Sequence, residues 1–149
     1  MIKLELRAWD RKNKKMFDVF QWNRGDEFDS ITRMIGFNKI ETLFIGEDID
    51  LIQFTGLLDK QGNKIYEGDI VKSTSNYLNW KTGDPTGELC IETYQIIHLE
   101  EEAQYTVQRI DGYINRLGIN QKRMSVYYEV IGNIYQNPEL LEEKEDIEN

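Results

Sequence analysis

Between Gln104 and Tyr128 the cations Arg109, Arg116, Lys122 and Arg123 stand against one carboxylate, Asp111, and are interleaved with Tyr105, Tyr113, Tyr127 and Tyr128. Guanidinium groups beside aromatic rings suit two tasks: gripping single-stranded nucleic acid and anchoring a protein–protein contact. Tyr105, Arg109, Tyr113, Arg116 and Arg123 are therefore the candidate partner-binding residues. The plainer alternative places the arginines singly on outer strand faces while the tyrosines fill a core.

Other reactive side chains are sparse. The one cysteine, Cys90, excludes an internal disulfide, and its setting in "ELCIETY" reads as a small buried apolar residue. The one histidine, His98, is eight residues further on, so a thiol nucleophile has no base close in sequence. A zinc site built on His and Cys needs about four such ligands. Glu67 and Asp69 flank Gly68 and could act as an acid–base pair or as metal ligands, but two carboxylates without further ligands make no site. No phosphate-cradling glycine loop of either common spacing occurs. The expectation is no catalytic residue, no cofactor, no metal, and hence a non-enzymatic protein.

The charge balance narrows the partners. Over 149 residues the formal net charge is −9, with 40% hydrophobic and 30% charged residues, so the chain is globular and acidic. An acidic protein repels nucleic acid and anionic lipid at long range, which disfavours both unless a basic face is segregated. The opening "MIKLELRAWDRKNKK" lacks the uninterrupted apolar run of a signal peptide, and no stretch approaches the roughly 20 apolar residues of a membrane-spanning helix. A cytoplasmic protein is expected.

These side chains must be positioned by strands. "IKLELRAW" alternates, with Ile2, Leu4, Leu6 and Ala8 on one face; "DRKNKK" is a polar turn and "KMFDVFQW" is extended again, giving a hairpin. Residues 23–50 hold β-branched residues with Gly36 and Gly46, which favours short strands, the alternative being a helical turn near 30–35. In "FTGLLDKQGNKIYEGDIVK", Asp59 can accept from a backbone N–H two residues on, and Gly62 can take the positive φ that closes the turn. Gly68 marks a kink there, and Asp69 can tie down a loop N–H before the buried Ile70-Val71. Residues 73–88 read as loop, "ELCIETYQIIHL" as strand, Asp111-Gly112 as a turn, and "RMSVYYEVIGNIY" as strand. Asn137-Pro138-Glu139 has the residues of a helix start, with Leu140 and Leu141 available to dock it. The sum is a mainly β chain, with strand spacing that favours a small barrel, and a short C-terminal helix.

Three segments, "KLELRAWDRKNKKMF", "FTGLLDKQGNKIYEGDIVK" and "YEVIGNIYQNPELLE", together resemble the YopX family of bacteriophage and prophage proteins. The resemblance implies an SH3-like β-barrel in a phage gene setting of unassigned role, and it brings no catalytic or ligand residue with it. On this reading 1–149 is a single YopX-like unit: an N-terminal β-hairpin lobe over 1–50, a barrel over 51–137 with a variable insertion near 73–127, and a C-terminal helix with an acidic tail over 138–149.

The function expected is that of a non-enzymatic phage accessory protein binding a host or phage protein, and also self-associating as a homo-oligomer. The alternatives are a nucleic-acid-binding module using the Arg/Tyr segment at 104–128 and an acidic decoy of a host DNA-binding protein. A hydrolase or nuclease lacks its motifs.

Overall fold

The computed structural model describes residues 5–19, 21–27, 29–36 and 38–142. The chain is mainly β, with a curled half-barrel sheet and one short α-helix. It divides into two units, Met1–Phe54 and Thr55–Asn149.

In the first unit, β1 (Leu6–Asp10) and β2 (Lys15–Asp18) form the hairpin that the alternation anticipates, with Ala8 opposite Phe17. Ile2 and Leu4 lie outside the described residues. The turn is held by Asp10, whose carboxylate accepts the backbone N–H groups of Lys12 and Asn13 at 3.0 Å each. Asp10 also pairs with Arg33 at 2.9 Å. Burial alone would raise its pKa; the hydrogen bonds from Asn13 and Arg33 outweigh that and hold it below the usual carboxylate value. Residues 30–35 are strand rather than a helical turn: β3 (Trp22–Asn23), β4 (Ser30–Gly36) and β5 (Lys39–Phe44) form an antiparallel three-stranded sheet. β6 (Ile49–Leu58) pairs its first residues with β1, Ala8 facing Leu51. Ala8, Ile31, Leu43 and Ile49 make the core of this unit.

β6 runs on into the second unit and turns at Asp59–Asn63 into β7 (Lys64–Tyr66). The turn chemistry is as the residues suggest. Asp59 accepts Gln61 N–H at 2.9 Å, and Gly62 has φ +85°. Gly68 has φ +84°, which favours glycine, and a Cβ there would lie 3.1 Å from the Tyr135 ring, which would have to give by a few tenths of an ångström. Asp69 accepts Tyr66 N–H at 2.8 Å before β8 (Asp69–Leu78) begins. With β9 (Pro85–Leu99), β10 (Gln104–Arg109) and β11 (Tyr128–Asn133) it forms a sheet of order β10-β9-β8-β11. Ile65, Val71, Ile96, Val107, Met124 and Tyr128 are its buried core.

Three sequence readings need correction. Residues 73–88 are not a loop: only 79–84 turn, and the rest belongs to β8 and β9. Pro85 is tolerated because it opens its strand. Residues 123–127, read as strand, instead belong to helix α1 (Gln121–Tyr127), capped by the Asn120 side chain accepting Arg123 N–H and anchored by the buried Met124. The C-terminal helix shrinks to a 3-10 turn, Pro138–Leu141, and Asn137 does not cap it. Its side chain instead accepts Asn133 N–H at 3.3 Å, while Leu140 comes to 2.9 Å from where a Cβ on Gly132 would be. The remainder of the expected helix lies outside the described residues.

Candidate functional site

The fold separates the Arg/Tyr segment. Tyr105, on β10, is in ring contact with His98 of β9, centroids 4.8 Å apart. Its pKa is raised, first by burial and then by Glu67. Arg109 ends β10 and grips Asp111 through two hydrogen bonds, Nε–Oδ1 3.0 Å and Nη2–Oδ2 2.6 Å. It reaches Glu92 at 3.8 Å and lies 5.2 Å from the Tyr113 ring centre. The hydrogen bonds from Arg109 depress the Asp111 carboxyl to about 2. Arg116 pairs with Glu102 at 3.4 Å. Arg123 stands apart on α1, lining a cleft of about 530 Å³ with Ser73, Ser75, Tyr94, Tyr127 and Tyr128. In that cleft the Tyr94 hydroxyl donates to Glu92 at 2.7 Å; burial, then this bond, raises the phenol's pKa. Arg109 and Arg116 are thus each matched by carboxylates of the same unit. A phosphate chain would meet the charge of those carboxylates beside either arginine, which weakens its attraction.

The remaining reactive residues fall apart similarly. Cys90 and His98 are eight residues apart on one extended strand, roughly 26 Å at the usual rise per residue. No proton passes between them directly. Cys90 is half-buried rather than buried, with Sγ 3.8 Å from Glu92. Asp69 is buried and holds a turn N–H, while Glu67 is only half-buried beside it. Among the described residues no three His, Cys, Asp or Glu side chains lie close enough to hold a metal ion. No described helix is long and apolar enough to cross a membrane.

One feature escaped the sequence reading. β11 pairs with β8 no further than Ser73, and β10 pairs with β9 no further than Tyr94. Beyond these points Thr74–Leu78 and Pro85–Ile91 pair only with each other among the described residues, as a two-stranded arm. Asn79 builds its tip, accepting the N–H groups of Lys81 and Thr82 at 2.9 and 3.1 Å. The arm carries large apolar side chains in solvent: Trp80 is 87% exposed, Leu78 63%, Leu89 and Ile91 57% each, Tyr77 54%. Lys81 Nζ sits 5.0 Å from the Trp80 ring centre. The available signal was the aromatic content of "NYLNW" inside an otherwise polar stretch.

A family model described as YopX protein matches residues 5–142. The chain belongs to the YopX family. The fold of this YopX-family chain is also similar to the crystal structure of protein EF1440 from Enterococcus faecalis, with a TM-score of 0.59 and 22% identity over 95% of this chain and 100% of that one. No curated protein matches the chain. Among the described residues, the three segments quoted for the resemblance fall on the β1–β2 hairpin, the Asp59 turn with the Gly68 kink, and β11 with the turn after it.

Proposed function

We propose that this YopX-family protein is a non-enzymatic accessory protein of a phage or prophage, working in the host cytoplasm by binding another protein through the β8–β9 arm. The observation that carries this reading is the arm itself. Soluble chains seldom leave a tryptophan 87% exposed beside four other exposed apolar side chains on one short hairpin. Burying roughly 200 Å² of such a ring supplies about 5 kcal/mol of gross driving force, enough to act as an anchor before ordering costs are met. The second unit is best read as a variant of the SH3-like barrel, a fold that commonly presents binding surfaces, with β8 and β9 extended past the barrel strands. The nucleic-acid alternative draws less support, because Arg109 and Arg116 are already paired and the net charge is −9.

The test compares the intact protein with a variant whose residues 77–86 are replaced by an Asn-Gly turn, both tagged and expressed in the host during infection. Proteins retained by the first and lost by the second, measured by quantitative mass spectrometry, support the reading. An identical retained set, or none, overturns it.

A further inference from the structure

The arm's β9 strand has an open edge, and its side chains define what fits there. With β8 on one side and β10 stopping at Tyr94, β9 has no second strand partner from Pro85 to Thr93 among the described residues, although Glu88 N–H is taken by the Thr86 hydroxyl at 3.3 Å. Gly87, at φ +84°, breaks the extended run, so the usable edge is Glu88–Thr93, about 20 Å long, a typical strand length. Alternation puts Leu89 and Ile91 on one face of this edge and Glu88, Cys90 and Glu92 on the other. Natural edges are usually blunted by lysines or inward-pointing charges. This one carries Glu88 and Glu92 and no lysine, with Arg109 reaching Glu92 at 3.8 Å from the end of β10.

Resting on the protein-binding reading above, we infer that the Glu88–Thr93 edge accepts an extended strand of a partner protein that alternates basic with β-branched apolar residues. The added strand lies end-on to β10 and continues the sheet. Its apolar residues meet Leu89 and Ile91, and its lysines or arginines meet Glu88, reaching Glu92 only where they replace Arg109, 3.8 Å from that carboxylate. A second copy of this chain fits less well. In a two-fold antiparallel pair that sets Leu89 against Ile91 of the other copy, Glu88 faces Glu92, and like charges directly opposite repel.

The probe is a fluorescein-labelled octapeptide of alternating lysine and valine, read by anisotropy on the full chain, with a glutamate–valine peptide and a blocked-order Lys₄Val₄ peptide as controls. The alternating lysine peptide binds best, and added salt weakens it. Ile91→Lys, at an exposed position, weakens it at least about tenfold while leaving the thermal midpoint unchanged. Trp80→Ala leaves it within about twofold. Amides of Glu88–Thr93 gain protection from hydrogen exchange. Equal binding of the three peptides, or unaltered binding by Ile91→Lys, overturns the strand-docking inference. A concentration-dependent dimer abolished by Ile91→Lys in sedimentation also overturns it, in favour of a second copy. If the peptide fails but partner retention still requires residues 77–86, strand docking falls and the protein-binding reading stands. If retention is indifferent to those residues but the peptide binds as described, the tip-centred reading falls and the edge stands.

Discussion

Asp59→Ala should be among the most damaging single changes in the second unit. The Asp59 side chain is 2% exposed. It accepts four hydrogen bonds, from Gln61 N–H at 2.9 Å, Asn63 N–H at 2.8 Å, the Asn63 amide at 3.2 Å and Val130 N–H at 2.9 Å. The last of these joins the β6–β7 turn to β11, so the loss is tertiary as well as local. Bonds to a charged acceptor contribute about 1.5–3 kcal/mol each, but exposed turn N–H groups recover water when the acceptor goes. Counting the Val130 bond in full and the turn bonds in part gives roughly 3–5 kcal/mol, or on the order of 10 °C in Tm for a chain of this size. Asp59→Asn should lie between, because its amide must present NH₂ towards at least one N–H that now meets an oxygen. The pH dependence provides a separate check. Burial alone would raise the Asp59 pKa, yet the backbone N–H of Val130 and the bonds from the turn lower it below the usual 3.8. The unfolded chain therefore takes up the proton first. The stability that Asp59 contributes is complete above the unfolded value and is lost as pH falls through the folded one. Urea titrations followed by circular dichroism at pH 7 and pH 3 should show the gap between wild type and Asp59→Ala narrowing at the lower pH. A gap under about 1 kcal/mol at pH 7 would refute the reasoning, since buried charge-assisted bonds cannot be that cheap to remove.

Further changes separate the causes built into the fold. Gly68→Ala should cost about 2–4 kcal/mol by thermal denaturation and Gly62→Ala about 1–2, because both have positive φ but only Gly68 also has the Tyr135 ring 3.1 Å from the new Cβ; equal costs would remove the packing term. Asn120→Ala should destabilise by about 1 kcal/mol through loss of the α1 cap, with Asn120→Ser restoring most of it; no effect in urea titration would mean Met124 alone holds the helix. Leu140→Ala should cost only on the order of 1–2 kcal/mol, since Leu140 is half-buried against Gly132 rather than enclosed; a loss above about 4 would mean the C-terminal turn is a core element.

What could be read from the sequence was the local turn chemistry. Asp59 with Gly62, and Gly68 with Asp69, each specify a conformation within four residues, and the structure uses each as the residue types suggest. The β1–β2 hairpin was legible for the same reason, a clear alternation followed by a polar turn. The arm was not, because Ser73-Thr74-Ser75-Asn76 is polar throughout and so shows no apolar period, although it pairs regularly with Cys90, Ile91 and their neighbours. Helix α1 hid behind Val126, Tyr127 and Tyr128, whose types favour strands; the Asn120 cap and the run Gln121-Lys122-Arg123-Met124 were the available signal. At the other end, helix-start residues produced a single 3-10 turn because the Asn137 side chain is drawn to Asn133 N–H. For the candidate site, the sequence showed the arginines and Asp111 but not the remaining counter-charges. Glu92 and Glu102 meet Arg109 and Arg116 only through the β9–β10 pairing and the turn that follows.

The most direct test of the arm as the binding element is calorimetry between the purified protein and a partner retained through residues 77–86. Trp80→Ala should weaken that binding by at least about tenfold, as loss of a central aromatic anchor does, with the thermal midpoint of the free protein unchanged because Trp80 is 87% exposed. Arg109→Ala, removing a cation already engaged by Asp111 and Glu92, should change it less than about threefold. The reverse pattern, with binding insensitive to Trp80 and lost with Arg109, would contradict the assignment of the arm.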